Sequence, residues 1–430
     1  MTSTTVANTQ GDVFAPVPLR ERVQALDVLR GVALLGILVV NILDYAPRPT
    51  TAAERLTAQF VDVFADGSFY PLFSLLFGVG FAVFLDRAAV RGANGTLLYV
   101  RRLAALLAIA VLQVILLEDR NILVRYAFLA LPLLFFWRAS ARACFAAALL
   151  CIGLAVARAP IDRALVRRDM RDPVAAAALR ATSASDRALG EARQAEWRRA
   201  AATRSFAAMA TFRLTWQVPD QLRWSTNLRR NPTLFHILAM LLLGVASWRS
   251  RMFLDPTSHR RLMRQVMIWG SLIGVGGNLA TSIGSDGDPI ALLSGWPTAT
   301  TAIRFIANTA LTLTYVTAIV LLLSAASDAW RRRFAPLALI GRMGLTNYLW
   351  QSVAMSLLFL PYGLRLEGKC PLWAYPLIGV VIFLSHLPLS AWWLARYRFG
   401  PVEWLWRTAT YGRRQPMRLT PEALSAAASA

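Results

Sequence analysis

Two sets of polar side chains sit inside the apolar runs of this sequence, and each suits a different chemistry. Asp27 and Arg30 stand three residues apart, on one helix face, just before the run Val32 to Ile42, and Arg342 opens a later run. With Arg30 and Arg342 facing each other across a cavity, two guanidinium forks would hold an anionic group such as the phosphate of a cytoplasmic cofactor. The plainer alternative makes Asp27 and Arg30 an intrahelical pair that anchors the start of the first helix. The second set, Asn41, Asp44, Gln113, Asn121, Arg125 and His236, lies toward the opposite ends of its runs. Carboxamides, a carboxylate, a guanidinium and an imidazole converging there would line a polar substrate pocket, provided their helices are neighbours. Asn347 and Gln351, one turn apart, either contribute to substrate binding or join helices through hydrogen bonds. His386, with Ser385 and Ser390 nearby, is either a general base or a satisfied interior histidine.

These groups matter because of what surrounds them. Of 430 residues, 56% are hydrophobic and 16% charged, against the roughly 25% charged residues of soluble chains. The deficit, with apolar runs approaching the ~20 residues that cross a bilayer, points to an all-helical integral membrane protein. A charge at the bilayer centre costs about 2.5 to 3.5 kcal/mol on insertion scales, so each embedded polar group calls for a partner, a wet cavity or a function. The net charge of +22 comes from arginines gathered between the runs. No motif that reads nucleic acid accompanies it, and nucleic-acid binding is excluded. Anionic membrane lipids are the expected partners of that charge. Cys144, Cys151 and Cys370, and the scattered His236, His259 and His386, have no metal-ligand spacing, so no metal is expected.

Ten candidate spans follow from the apolar runs: Val28 to Tyr45, Phe69 to Leu85, Leu103 to Leu117, Asn121 to Trp137 and Ala143 to Ala157 in the first half. Thr233 to Trp248, Gln265 to Ile283, Ala302 to Ser324, Leu337 to Leu360 and Leu372 to Ala395 complete the set. Arginines cluster in alternate loops, after spans two, four, six, eight and ten, whereas the intervening loops carry Asp62 and Asp66, Glu118 and Asp119, and Asp286 and Asp288. The positive-inside rule then predicts cytoplasmic termini. The expected organisation is a disordered tail over 1–21, about five spans in 22–157, an external helical insertion over 158–231, about five spans in 232–412 and a tail over 413–430. The insertion carries 15 arginines and 7 acids, which long translocated loops tolerate.

Four stretches carry a resemblance. RVQALDVLRGVALLGILVVNI at 22–42, FYPLFSLLFGVGFAVFLDRA at 69–88, LIGRMGLTNYLWQS at 339–352 and RFGPVEWLWRTATYG at 398–412 resemble, in this order, the YeiB-like family of bacterial membrane proteins, which carry a C-terminal domain of unknown function. The first stretch is also similar to the opening helix of heparan-glucosaminide-acetyltransferase-like membrane proteins. That resemblance implies an inner-membrane location and acyl transfer from a cytoplasmic donor, acyl-coenzyme A, to an acceptor on the other side through a histidine in the bundle. A histidine suits the task because it can deprotonate a hydroxyl or amine near neutral pH or carry the acyl group itself. Where relatives have that histidine and a following aspartate, this chain has Gln113 and Asn121. Neither amide serves as a base. The catalytic candidates are therefore His236, entering span six from the same side, and the replaced positions themselves. Two function classes stay open: acyl transfer to an envelope or small-molecule acceptor, and transport or export of a small molecule without covalent chemistry.

Overall fold

The computed structural model describes residues 23–117, 121–228, 231–283 and 296–419. The tail expected at the N-terminus, the end of the C-terminal tail and the loop acids Glu118, Asp119, Asp286 and Asp288 lie outside the described residues. Within them every regular element is a helix, and one isolated bridge joins Tyr397 to Arg418. Six helical segments are long and apolar enough to cross a membrane, among them Gln24–Tyr45, Gly95–Leu116, Ala141–Asp169 and Ala374–Leu394; the apolar helices Ile122–Phe136 and Thr233–Arg249 are shorter. Ten crossings was the expectation, and six is the number that length and composition support among the described residues.

Helix α1 (Gln24–Ile42) buries eleven of its 19 residues. Its buried side, including Leu29, Leu34 and Leu38, is fully enclosed. Helix α2 (Ala52–Phe64) starts on a capping box between Thr51 and Glu54 and leads through a turn into α3 (Phe69–Val90) and α4 (Gly95–Leu116). The fourth expected span is broken. Helix α5 (Ile122–Leu129) gives way to a 3-10 segment, Leu131–Phe136, at the proline of Leu131-Pro132, because proline supplies no backbone N–H for a continuing helix.

The fifth span runs far beyond its apolar part. Helix α6 (Ala141–Asp169) is 29 residues long, or about 43 Å at 1.5 Å per residue, against a hydrocarbon core of about 30 Å. Its continuation and the helices α7 (Pro173–Ala202), α8 (Phe206–Phe212) and α9 (Val218–Thr226) make most of the described part of the 158–231 segment helical. Arg213, in a π-helical turn between α8 and α9, is buried and donates to the Leu116 carbonyl at the end of α4 and to the Tyr362 hydroxyl.

In the second half come α10 (Thr233–Arg249), α11 (Arg260–Ile283) and α12 (Trp296–Ala325). The ninth expected span divides at Met343 into α13 (Asp328–Arg342) and α14 (Gly344–Phe359), and α15 (Ala374–Leu394) precedes a short amphipathic α16 (Pro401–Tyr411). α1 and α13 touch backbone to backbone. A Cβ on Gly341 would overlap the Asp27 carbonyl, and one on Gly31 the Leu337 carbonyl. Small residues permit such an approach where lipid offers no hydrophobic drive, and this contact places Arg342 beside Arg30.

Candidate functional site

A cavity of about 340 Å³ opens between α1, α3, α4, α13, α14 and α16. One end is cationic. Arg30, Arg87, Arg91 and Arg102 line it from the first half of the chain, and Arg342, Arg398 and Arg407 from the second; Asp27 and Glu403 are the carboxylates in the wall. Arg30 pairs with Asp27 at 2.6 Å. Arg102 stacks on the Trp406 ring, 3.6 Å from its centroid, while Trp406 Nε1 donates to the Arg102 carbonyl at 2.8 Å. Arg407 lies over Phe399. A guanidinium over an aromatic ring gains cation–π stabilisation, and its planar fork is suited to phosphate oxygens.

The rest of the cavity is apolar. Phe73, Phe77, Phe81 and Phe84 line it from α3, at spacings of four, four and three that set them in one stripe along the helix. Eleven residues of α3 separate the first from the last, about 16 Å of rise. Gly80 lies in this wall, and a Cβ there would meet nothing within 4 Å. Ile37, Leu123 and Tyr348 are lining residues away from the arginines. Seven arginines against two carboxylates at one end, with a phenylalanine-lined channel leading inward, match an amphiphile with an anionic head and an apolar tail.

Glu403 holds α16 in place as part of the wall. Its Oε1 accepts from the backbone N–H groups of Leu345 (2.6 Å) and Thr346 (3.0 Å), and its Oε2 from the Thr346 hydroxyl (2.5 Å). A carboxylate at the exposed N–H groups of a helix start complements the helix dipole of α14. Burial nevertheless pushes the Glu403 carboxyl above the usual range, against the pull of its bonds to Thr346 and Leu345.

Gln113 and Asn121 meet. Asn121 Nδ2 donates to Gln113 Oε1 at 3.0 Å and to the Ala110 carbonyl at 2.8 Å, while Gln113 Nε2 donates to Ser352 Oγ at 2.8 Å. Asn121 Oδ1 accepts from Leu123 N–H and so caps α5. Ser352 in turn donates to the Tyr348 carbonyl. Leu123 and Tyr348 both line the cavity, so this amide network stands directly behind its wall.

His236 is elsewhere. It is fully buried between Tyr70, whose hydroxyl is 2.8 Å from Nδ1, and Thr309, whose hydroxyl is 2.8 Å from Nε2. Thr309 gives its own proton to the Phe305 carbonyl. Nε2 therefore carries the imidazole proton and Nδ1 accepts from Tyr70. Arg125 belongs to the same neighbourhood, interacting electrostatically with Tyr70, Tyr126 and Tyr348.

The remaining candidates stand apart from the cavity wall. Asn41 is half-buried and Asp44 exposed, at the end of α1. Asn347 Nδ2 donates to the Ile340 carbonyl and Ser390 Oγ, and Gln351 Nε2 to the Leu34 carbonyl, the hydrogen-bonded joints between helices that the alternative reading describes. His386 has the Ile382 carbonyl 2.6 Å from Nδ1 and the Asn347 carbonyl 3.2 Å from Nε2. Among the described residues no cluster of three His, Cys, Asp or Glu side chains is placed to hold a metal.

From the sequence, Arg87, Arg91 and Arg102 read as membrane-orienting charges, and Arg398 and Arg407 also as cations for anionic lipid headgroups; the fold gathers them around one opening. The signal that could have found the cavity was the phenylalanine stripe on α3, which faces these arginines.

Residues 247–413 match a family described as a protein of unknown function, DUF418. The chain is 30% identical to the uncharacterised protein YxaH of Bacillus subtilis, over 94% of this chain and 97% of that one. It is 27% identical to an uncharacterised 39.9 kDa protein from the amylase 3' region of Bacillus acidopullulyticus, over 95% and 99% of the two. A segment of 75 residues, 17% of this chain, is 40% identical to the uncharacterised protein YeiB of Escherichia coli. No solved structure matches the chain.

Proposed function

The chain belongs to the YeiB-like family of uncharacterised membrane proteins, and from that premise we propose that it binds a phosphate-bearing acyl amphiphile as the donor for acyl transfer. The observation that carries this reading is the cavity itself, with its arginines around one end and its phenylalanines along the stem. Acyl-coenzyme A has the matching polarity: phosphates for the guanidinium forks and an acyl chain for the apolar stem. The reading sets the arginine-lined end on the cytoplasmic side of an inner membrane, with ten crossings and both termini on that side, in keeping with the positive-inside rule.

One observation favours a second reading. The polar groups behind the far part of the cavity, Gln113 and Asn121, are amides that neither take up nor release a proton near neutral pH. A cavity whose far part is backed by amides also suits an amphiphile that is cargo and leaves chemically unchanged.

The test is binding followed by chemistry. Detergent-purified protein is titrated with palmitoyl-coenzyme A and with acetyl-coenzyme A, and the Tm is followed, since a ligand selective for the folded state must raise it. Palmitoyl-coenzyme A is expected to stabilise more strongly than the acetyl thioester. No shift with either on folded protein overturns the reading. Free thiol released from bound palmitoyl-coenzyme A in the presence of membrane extract separates transfer from transport.

A further inference from the structure

We infer that Arg125 is the centre of a second binding site, for a phosphate group, distinct from the arginine-lined end of the cavity. Arg125 is the one charge on α5, whose sequence is otherwise Ile-Leu-Val and Tyr-Ala-Phe-Leu. It is half-buried, and its Nε is enclosed with no hydrogen-bond partner among the described residues. A cation in an apolar helix is a functional group by default, because the membrane interior stabilises it only through a partner or a ligand.

The groups around Arg125 leave it in want of an anion. Its electrostatic neighbours are the phenols Tyr70, Tyr126 and Tyr348, which are uncharged near neutral pH. The protons of two of them are committed. Tyr70 donates to His236 Nδ1 and Tyr126 to the Tyr70 carbonyl. Ser74 donates its proton to that same carbonyl, 2.8 Å away. The carboxylates Asp62 and Asp66 of the α2–α3 region hold Arg304, Asp62 through both oxygens at 2.8 and 2.6 Å. The cluster thus offers guanidinium donors; Asp66 acts on Tyr70, but no carboxylate stands among the described groups that act on Arg125.

The position argues for phosphate. Arg125 is one turn from the start of α5, which Asn121 caps beside Gln113. Along α4, Gln113 is eleven residues from Arg102, about 16 Å from the arginine-lined end. A cation one turn inside a helix start lies near the headgroup layer, where phosphate is the abundant oxyanion, and a planar guanidinium donates to two of its oxygens side by side. The group is either the headgroup of a membrane phospholipid or that of a soluble phosphorylated ligand.

The experiment uses the full chain in nanodiscs and reads Tm in two arms. One titrates inorganic phosphate onto protein in the phosphate-free lipid digalactosyldiacylglycerol, and the other replaces that lipid stepwise with phosphatidylglycerol without free phosphate. A shift in the first arm that the Arg125 variants weaken identifies a soluble source, and one in the second that they weaken identifies a lipid headgroup. Apparent affinity is expected to fall at least tenfold in Arg125→Gln and to be partly kept in Arg125→Lys. Arg91→Gln, which weakens the arginine-lined end, is expected to keep the shift, so failure of the acyl-donor reading and failure of this one are told apart. Should Arg125→Gln not fold, a reduced shift in Arg125→Lys at wild-type Tm decides in favour. No shift of the wild type in either arm, or equal shifts in wild type and both Arg125 variants, overturns the inference.

Discussion

Asn121 donates its side-chain amide to Gln113 Oε1 across 3.0 Å, and this joins the two positions at which the sequence departs from the histidine and aspartate that its resemblance to acyltransferases implies. The pair is held at both ends, by Ser352 on α14 and by the α5 cap. Asn121→Ala removes an N-cap and two donated bonds, and is expected to destabilise by about 1 to 3 kcal/mol. Gln113→Leu leaves Asn121 its bond to Ala110 and should cost less, roughly 1 kcal/mol. Denaturant unfolding in detergent, run as a double-mutant cycle, measures the coupling. The double variant Gln113→His with Asn121→Asp restores a base behind the cavity wall and is expected to raise palmitoyl-coenzyme A hydrolysis above wild type. Unchanged hydrolysis would sever this place from acyl transfer.

Gly80 should set the length of tail the cavity accepts. Nothing lies within 4 Å of a Cβ built there, so Gly80→Leu projects into the apolar stem without displacing protein. Folded yield and Tm are expected to stay close to wild type, helped by the better helix propensity of leucine. Affinity for palmitoyl-coenzyme A should fall tenfold or more, with acetyl-coenzyme A little changed. Equal losses for both would show that the tail does not occupy the stem.

Two arginines of the cationic end separate binding from anchoring. Arg91 is exposed at the end of α3, and Arg91→Gln is expected to weaken the donor by about 1.5 to 3 kcal/mol, the worth of a hydrogen bond to a charged group, at unchanged Tm. Arg30→Ala also removes one partner of Asp27, which is 10% exposed at its side chain. Because Arg30 itself is about a third exposed, solvent screens the pair and the expected destabilisation is modest, roughly 1 kcal/mol. Isothermal titration with acyl-coenzyme A beside thermal unfolding checks both.

How much of this was legible depended on what each residue needs. The helical membrane class followed from apolar runs alone, and the adjacency of Arg30 and Arg342 could be anticipated because both sit where runs begin. The break at Met343 could not, since the stretch Leu337 to Leu360 has no glycine–proline interruption and only Gly341 and Gly344 flank the division. The amide pair Gln113–Asn121 was visible as two embedded polar residues, but their contact depends on how α4 and α5 pack together. The other arginines of the cavity were the least legible, because charge at the end of an apolar run looks the same whether it faces lipid headgroups or a cavity. His236 was singled out for its chemistry, and its two hydroxyl partners come from α3 and α12, far away in sequence.

Glu403 should be the latch of α16 over the cavity. Glu403→Ala leaves the N–H groups of Leu345 and Thr346 without their acceptor, a loss comparable to removing an N-cap, about 0.5 to 2 kcal/mol. Glu403→Gln keeps one oxygen for those N–H groups and should be milder. The pH dependence tests the electrostatics. Burial holds this carboxyl above its ordinary range, so the folded state binds the proton more tightly than the unfolded chain. Stability from this group is then fully present below the unfolded value of about 4.3 and is lost as pH rises through the folded-state value. The Tm difference between wild type and Glu403→Gln is therefore expected to move against the wild type as pH increases from about 4 toward neutrality. The opposite slope would mean that the bonds from Leu345 and Thr346 outweigh burial and that the latch is held as a carboxylate.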